Sequence, residues 1–378
     1  MQARAFTNLG NALNRANRWV EAYDSYLKAL ELDRTNAVAS TGAAKVLLRS
    51  IDRGIGKKED LQAAASKHLK ESRIHEARLR ELTGEQAYQH LRKILDLDLD
   101  VPERQSKSVS EYERFVAKNR LALAPTIEGL DVSPKRWDAL RIHSLIEPAD
   151  KGGGIPPLFA MFNVLKGEYL LARRMAFDAD NCEINDSGSY SDTLDYAVYG
   201  VRPSMLISAQ RMCMDILDKI AIAVTEYLGL KDHKRSISFR NRWFSRKSGK
   251  SKERIWHADI RESLMRGNLV VVAMAEMALD LSGEGFLFEK KLFRDAGTHG
   301  YTVLHDLGAD PSRPSDYVEH CSLVSFSHVM IDSLRLARAA IIYFVELVAL
   351  EERLKRNGTK TVALDVPDYH WIRGEDCG

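Results

Sequence analysis

The chain has 378 residues, of which 45% are hydrophobic and 29% charged, and its formal net charge is +2. This length supports two domains with hydrophobic cores, and the balance of apolar and charged residues excludes a disordered chain. The longest apolar run, near residues 339–350, contains Glu346 and is too short to span a bilayer, and the first residues contain no secretory hydrophobic region. A cytoplasmic protein without a membrane partner is therefore expected.

The first forty residues are predicted to form a helical hairpin. Gly10 and Ala22 are small where two helices would cross closely, and Tyr26 and Ala29 follow the apolar face of the second helix. This pattern resembles a tetratricopeptide repeat. Asn36 is predicted to cap a third helix, which would be half of a second, degraded repeat. So short an array either binds a protein partner or, as we favour, supports the C-terminal part of the chain.

The predicted fold is all-α, with short N-terminal tetratricopeptide-like hairpins followed by an up-and-down helical bundle. Apolar residues recur at intervals of three and four after Leu158, after Pro203, over 269–281 and over 323–355. No segment shows a convincing strand alternation. The predicted boundaries are 1–97 for the tetratricopeptide-like helices, 98–134 for an irregular linker, 135–357 for the bundle and 358–378 for a C-terminal tail.

Residues 231–254 form a basic segment, with ten Lys or Arg residues against two acidic ones. Phe239, Trp243 and Phe244 lie among these charges. This combination suits single-stranded RNA, because phosphates need cations and unstacked bases need flat partners. The alternative is a solvated loop whose aromatic rings pack against the edge of the bundle. In the RNA interpretation, the binding residues are Arg240, Arg242, Trp243, Arg246, Lys247 and Lys250.

A guanidinium and an imidazole lie five positions apart, at Arg294 and His299. Arg carries a permanent charge on a fork that matches two phosphate oxygens, and His can take or give a proton near neutral pH. The pair therefore suits chemistry on a phosphodiester. Asp295 is included in the predicted catalytic set. It would hydrogen-bond the same motif of a second copy, orient an imidazole, or only start the helical turn.

Thr298 and His305 are auxiliary candidates near this motif. On a regular helix, His305 would point about 120° away from His299, which favours a structural role for it. His320 and His328, even with the cysteine between them, lack a fourth metal ligand at useful spacing. The four cysteines show no Cys-x-x-Cys spacing, so the sequence predicts reduced thiols, no metal and no cofactor.

The motif Arg294-Asp295-x-x-x-His299 resembles the signature of the HEPN superfamily of RNases. The similarity extends over roughly residues 115–355 and is closest to the LA2681-like HEPN subfamily, in which the domain follows tetratricopeptide repeats. Glu168 and Arg173 match polar positions of this subfamily; a buried ion pair that orders the bundle is their simplest role, and an RNA contact is the second. The matching pieces, in order, are Asn119-Arg120-Leu121, Lys166-Gly167-Glu168-Tyr169, Ala172-Arg173, Asp218-Lys219-Ile220, Thr298-His299 with His305, and Ala337-Arg338-Ala339-Ala340.

The resemblance implies metal-independent cleavage of single-stranded or loop RNA, in which the RNA's own 2′-hydroxyl attacks the adjacent phosphorus. His299 would act as general base or general acid, and Arg294 would neutralise the charge that grows on the phosphate. In the family, two such motifs meet across a twofold interface, so a homodimer is implied, with a role in stress response, phage defence or a toxin-antitoxin system. The alternative is a non-catalytic scaffold, in which the repeats bind a protein partner and the bundle dimerises.

Overall fold

A computed structural model describes most of the chain, namely residues 1–56, 58–97, 99, 110–124, 137–148, 154–230, 236–245, 255–283, 285, 287, 293, 295, 300–308, 315–355 and 361–365. Most of these residues are helical, which confirms the predicted all-α class, although short strands form two small sheets. None of the helices in these ranges combines the length and the hydropathy that crossing a membrane requires.

Helical hairpins open the chain, as predicted. They consist of α1 (Gln2–Arg15), α2 (Trp19–Leu32), α3 (Ala37–Asp52) and α4 (Lys58–Ile74), followed by the shorter α5 (Glu76–Thr83) and α6 (Glu85–Leu95). The Tyr26 ring lies between Gly10 and Gly42, and a Cβ built on either glycine would come within 2.6 Å of it. Larger residues at these two positions would push the ring aside, so the glycines set how closely α1 and α3 approach α2. Asn36 caps α3, because its side chain accepts a 3.1 Å hydrogen bond from the Ala39 N–H.

The segment predicted as an irregular linker, residues 98–134, contains helix α7 (Glu111–Asn119). A capping box starts this helix: the Ser110 hydroxyl accepts from the Glu113 N–H at 3.2 Å, and the Glu113 carboxylate accepts from the Ser110 N–H at 2.7 Å. The prediction of an irregular connection is therefore wrong for these residues. Their Ser-x-x-Glu spacing was the signal that could have revealed the helix.

Long helices form the C-terminal bundle. They are α8 (Pro157–Asn181), α9 (Val201–Tyr227), α10 (Ala258–Met265), α11 (Val270–Asp280) and α12 (Leu323–Lys355). The bounds of α12 are those predicted from the apolar periodicity. Residues 336–348 of this helix are all buried, because α12 packs against α8, α9 and α11.

The two small sheets correct the expectation of a chain without strands. In the first, β1 (Ser144–Pro148) pairs antiparallel with β5 (Thr361–Asp365), so part of the predicted C-terminal tail, 358–378, pairs with the bundle region. In the second, β3 (Tyr301–His305) lies between β2 (Ala197–Val198), which is antiparallel to it, and β4 (Val318–Ser322), which is parallel. Strands of five residues or fewer are too short to show a clear alternation in sequence.

The N-terminal hairpins pack on α12 around one buried carboxylate, Glu346, which is 0% exposed. Trp19 Nε1 donates to Glu346 at 2.6 Å, and Arg53 forms an ion pair with the same side chain. The Tyr343 hydroxyl, one helical turn earlier, donates to Glu21. The rings of Trp19 and Tyr343 meet edge to face, with their centroids 6.2 Å apart.

Arg18 extends this group to α11. Its Nε donates to Glu21 at 3.0 Å, and it forms an ion pair with Asp280. Apolar residues of the hairpins and of the bundle belong to one continuous core, which is what a supporting role of the N-terminal helices requires. We call the group the Glu346 network; its members are Arg18, Trp19, Glu21, Arg53, Asp280, Tyr343 and Glu346.

Candidate functional site

The predicted catalytic motif lies largely outside the described residues, which include neither Arg294, Thr298 nor His299. Asp295 is described, and it is helical and half-buried. Phe293, the residue before Arg294 in the chain, packs edge to face on Phe326 of α12, with 5.5 Å between ring centroids. The described residues beside the motif therefore contact the bundle through an aromatic pair.

The strand that follows the motif brings two histidines together. His305 ends β3, and His320 lies in the neighbouring parallel strand β4, where it pairs with Val303. Because residues 303 and 305 lie on the same face of β3, the side chains of His305 and His320 share one face of the sheet. Their ring centroids are 5.1 Å apart. His305 is therefore on a strand, and the helical geometry that placed it about 120° from His299 does not apply.

Hydrogen bonds define the orientation of the His305 ring. Its Nδ1 lies 2.9 Å from the backbone carbonyl oxygen of Asp195, and its Nε2 lies 2.8 Å from Nδ1 of His320. A carbonyl oxygen can only accept, so Nδ1 of His305 carries the proton. In a neutral imidazole this leaves the Nε2 lone pair directed at His320. His305 is 0% exposed, whereas His320 is half-buried.

Asp195 sits in a constrained turn beside the two rings. Leu194 and Tyr196, on either side of it, have φ angles of 57° and 60°, in the left-handed region that such residues seldom occupy. A carboxylate oxygen of Asp195 accepts from the Thr193 hydroxyl at 2.5 Å and from the Ala197 N–H at 3.3 Å. The Thr193 hydrogen bond, together with that N–H and the nearby imidazole, holds the pKa of Asp195 below its usual value.

Asp195, His305 and His320 each bring one ligand-type atom to within 4.8 Å of the others. We call this group the histidine cluster. The sequence pointed to His305 and weighed His320 as a metal ligand, but it did not bring the two together and it missed Asp195. No spacing rule could have found Asp195, because 110 residues separate it from His305. The third candidate ligand weighed from sequence, His328, is exposed on α12 and does not belong to the cluster.

The predicted RNA-binding segment divides into buried and exposed parts. Trp243 is 0% exposed and Arg242 is 3% exposed, so neither presents a surface on which RNA could bind, and the packing alternative describes them better. Trp243 meets the buried Phe239 edge to face at 5.5 Å. Arg240 is exposed and stays a candidate. Arg246, Lys247 and Lys250 lie outside the described residues.

Several residues that carry the family resemblance converge on one short segment, residues 121–124. The Leu121 carbonyl accepts from the Tyr169 hydroxyl at 2.7 Å and from Arg173 Nη1 at 2.9 Å. Arg338 of α12 donates to the carbonyls of Ala122 at 2.7 Å and Ala124 at 2.6 Å. These side chains hold an irregular segment of backbone inside the bundle, so their role is structural.

Glu168 and Arg173 each make an ion pair, but not with each other. Arg173 is buried and forms a forked pair with Asp138, at 2.9 and 2.8 Å. Glu168 is half-buried and pairs with Lys219 of α9. The predicted buried ion pair is therefore found only for Arg173, with Asp138 as its partner, whereas the pair of Glu168 with Lys219 is partly exposed.

Two exposed tyrosines lie side by side at the start of the strands that carry the histidines. Tyr301 is 71% exposed and Tyr317 is 75% exposed. The Tyr301 N–H donates to the Tyr317 carbonyl at 2.9 Å, so the two residues are neighbours across the β3–β4 edge. An unstacked base can stack on these exposed tyrosine rings more readily than on the buried Trp243. Sequence reasoning missed both residues.

The fold and these motifs define a helical bundle of the HEPN class. The family model for LA2681-like HEPN domains matches residues 149–351, more than half of the chain, and the chain therefore belongs to the LA2681-like HEPN family. This membership supports a nuclease or another RNA-related role. No curated protein and no solved structure matches the chain.

Proposed function

We propose that this protein is a metal-independent endoribonuclease that cleaves single-stranded or loop RNA. One observation carries the proposal: Arg294 and His299 occur together, at the spacing of the RNase motif, inside the region matched by the HEPN family model. In this mechanism the 2′-hydroxyl of the RNA attacks the adjacent phosphorus, the 5′-oxygen leaves, and a 2′,3′-cyclic phosphate forms.

Each residue of the motif has a proposed role. His299 takes the proton of the 2′-hydroxyl or gives one to the departing 5′-oxygen. Arg294 binds the non-bridging oxygens as their charge grows. Asp295 orients an imidazole, and Thr298 is auxiliary. One histidine cannot conveniently carry out both proton transfers, so we propose a homodimer in which each copy contributes one motif to a shared site.

The RNA is proposed to reach this site across the exposed tyrosines and the basic segment. Tyr301 follows His299 by two residues and is 71% exposed, so its ring is available for stacking on an unpaired base. Arg240 is exposed and supplies charge. Sequence-tolerant stacking with local positive charge is typical of proteins that bind single strands, and it compensates for the mild net charge of +2.

RNA cleavage in EDTA tests the mechanism. We expect the purified protein to cleave unstructured RNA and to leave 2′,3′-cyclic phosphate ends. Replacing His299 with Ala should reduce the rate by about 10²- to 10⁴-fold, the usual contribution of a general acid or base. His328→Ala is the matched control, because His328 is an exposed histidine of α12; its rate should be unchanged. Full activity of the His299→Ala variant would overturn the proposal.

Binding of RNA is tested separately at Tyr301. Replacing Tyr301 with Ala should weaken affinity for a short single-stranded RNA by about 5- to 150-fold, since stacking on one base contributes about 1–3 kcal/mol. Tyr301→Phe keeps the flat ring and should retain the affinity. Equal losses in both variants would attribute the effect to the hydroxyl group and not to stacking.

A non-catalytic scaffold, in which the repeats bind a protein partner and the bundle dimerises, is the second candidate; the Glu346 network fixes the N-terminal helices to the bundle in either case. If the protein is a scaffold, a dimer would form without any cleavage.

A role in stress response or phage defence predicts in addition that expression is toxic to cells and that Arg294→Ala relieves the toxicity. Equal toxicity of both forms would support the scaffold.

A further inference from the structure

We propose that Asp195, His305 and His320 form a binding site for a first-row divalent cation, for which Zn²⁺ is the best fit. Two imidazoles and one carboxylate are a ligand set that zinc accepts with tetrahedral geometry and a water molecule in the fourth position. The inference is independent of the RNase proposal, because it rests on neither Arg294 nor His299.

The three ligands come from three separate segments that the small sheet brings together. Ala197 of β2 pairs with His305 of β3, so Asp195, two residues before Ala197, lies beside the His305 ring. His320 lies on the other neighbouring strand, on the same face as His305. The ligand atoms all lie within 4.8 Å of one another. Ligands of a tetrahedral zinc lie about 3.3 Å apart, so the more distant atoms must approach each other by up to about 1.5 Å to share one cation.

His305 is already oriented as a metal ligand. A ligating histidine usually donates its second ring N–H to a carboxylate or a backbone carbonyl, which fixes its tautomer and turns the other nitrogen towards the metal. The 2.9 Å hydrogen bond from Nδ1 of His305 to the Asp195 carbonyl oxygen has this form. Full burial of His305 keeps water from competing for its Nε2 lone pair.

A modest movement of His320 opens the site. Nitrogen ligands about 2.0–2.1 Å from a tetrahedral zinc lie about 3.3 Å from each other, whereas Nε2 of His305 and Nδ1 of His320 are 2.8 Å apart. The half-buried His320 has room to shift by this difference, while the buried His305 stays in place. The cation then replaces the hydrogen bond between the rings, and the proton of His320 moves to its Nε2.

Binding would couple the turn before β2 to both other strands of the sheet. The described part of the cluster supplies three protein ligands. Cys321 follows His320 and therefore points to the opposite face of β4. Among the described residues no fourth ligand joins the three, and we assign the fourth position to water. Because β3 begins two residues after His299, the cation would also stabilise the segment that directly follows the predicted catalytic motif.

Titration of the full-length protein with Zn²⁺, and with Co²⁺ as a spectroscopic probe, tests the site without any RNA. We expect one cation per chain, a higher melting temperature with Zn²⁺, and a Co²⁺ visible spectrum without thiolate charge-transfer absorption. His320→Asn should weaken binding by about 100-fold or more, since even outer-shell substitutions cost about 10- to 100-fold. Asp195→Asn is the second variant. His328→Asn, on the exposed face of α12, is the control and should bind like the unchanged protein.

Three outcomes would overturn the proposal: no saturable binding, equal binding by the His320→Asn variant, or a Co²⁺ spectrum dominated by thiolate, which would place the cation at a cysteine instead. RNA cleavage measured with the His320→Asn variant separates this inference from the proposed function. Cleavage that persists after loss of cation binding supports both proposals. Absence of cleavage with intact cation binding in the unchanged protein removes only the RNase proposal.

Discussion

The Glu346 network and the histidine cluster are both polar groups within the fold, but they differ in burial, charge and setting. Glu346 is fully buried, whereas Asp195 and His320 of the cluster are half-buried. In the Glu346 network, carboxylates face arginines: Arg53 pairs with Glu346, and Arg18 lies between Glu21 and Asp280. Large rings pack around these pairs. The histidine cluster instead places two imidazoles in direct contact and a carboxylate beside them, in a turn with left-handed backbone.

This difference separates a group that stabilises the fold from one suited to chemistry. In a tightly packed interior, two opposite charges neutralise each other. Removing one partner leaves the other charge buried and unpaired, and this lowers the free energy of unfolding. Two neighbouring imidazoles carry lone pairs that a proton or a cation can occupy. We therefore expect substitutions in the Glu346 network to change stability strongly, and substitutions in the histidine cluster to change ligand binding with little loss of stability.

The largest effect is expected at Trp19. Replacing Trp19 with Ala removes a side chain that is 2% exposed, its edge-to-face contact with Tyr343 and its hydrogen bond to Glu346. The free energy of unfolding should fall by about 3–5 kcal/mol, measured by urea denaturation. Trp19→Phe keeps most of the packing and should lose less. A loss below about 1 kcal/mol for the Ala variant would show that the hairpins do not depend on this contact.

A smaller effect is expected at Arg18. Arg18→Met leaves Glu21 and Asp280, which are 21% and 19% exposed, without their shared cation. The expected cost is about 2–3 kcal/mol, below that of a fully buried pair because water reaches both carboxylates. Lys28→Met breaks the pair with Glu31, in which both side chains are about half exposed, and should cost less than about 1 kcal/mol. If both variants lose the same free energy of unfolding, burial does not decide how much these ion pairs contribute to stability.

Substitution in the histidine cluster should change stability still less. Without added metal, His320→Asn removes the 2.8 Å contact with His305, and we expect a loss of about 1 kcal/mol. Urea denaturation in parallel with the Arg18→Met variant measures the difference. A loss as large as that of Arg18→Met would mean that the cluster is a second structural network.

The last prediction concerns pH. Burial raises the pKa of Glu346 above its ordinary 4.5, against the opposing effects of Arg53 and Trp19. The folded state therefore holds this proton more tightly than the unfolded state, so its contribution to stability is complete below pH 4.5 and is lost as the pH rises through the folded-state pKa.

Glu346→Gln lacks this titration. It should match the unchanged protein at low pH and become relatively more stable as the pH rises, measured by denaturation across that range. A relative loss of stability on going to neutral pH would show that the ion pair with Arg53 outweighs the burial of the charge.

Some elements of the fold could be predicted because their signals are local. The bounds of α12 follow from its apolar periodicity, and the N-cap Asn36 follows from its type and position. The close approach of helices at Gly10 was readable because a small residue faces a large aromatic one, Tyr26, within a single hairpin. In each case, the residues that decide the structure lie within about thirty positions of each other.

Other features depended on distant parts of the chain. The basic segment contains aromatic residues that suit RNA stacking, yet Trp243 is buried against the bundle, because the helix surface beside it offers more apolar contact than solvent does. The short strands were not predicted, because β3 pairs with β2, more than 100 residues before it, and with β4, more than ten residues after it. The intrinsic strand propensity of single residues carries little information about pairing between such distant segments.

By itself, the sequence determined the helical class of this protein, its membership of the HEPN family and the presence of Arg294 and His299 at the spacing of an RNase motif. Periodicity and motif spacing are properties of neighbouring residues, and these conclusions need nothing more. Only the tertiary structure decided which polar groups meet: Glu346 with Arg53 and Trp19, and His305 with His320 and Asp195. Contacts between remote segments arise when the whole core packs, and no local pattern encodes them.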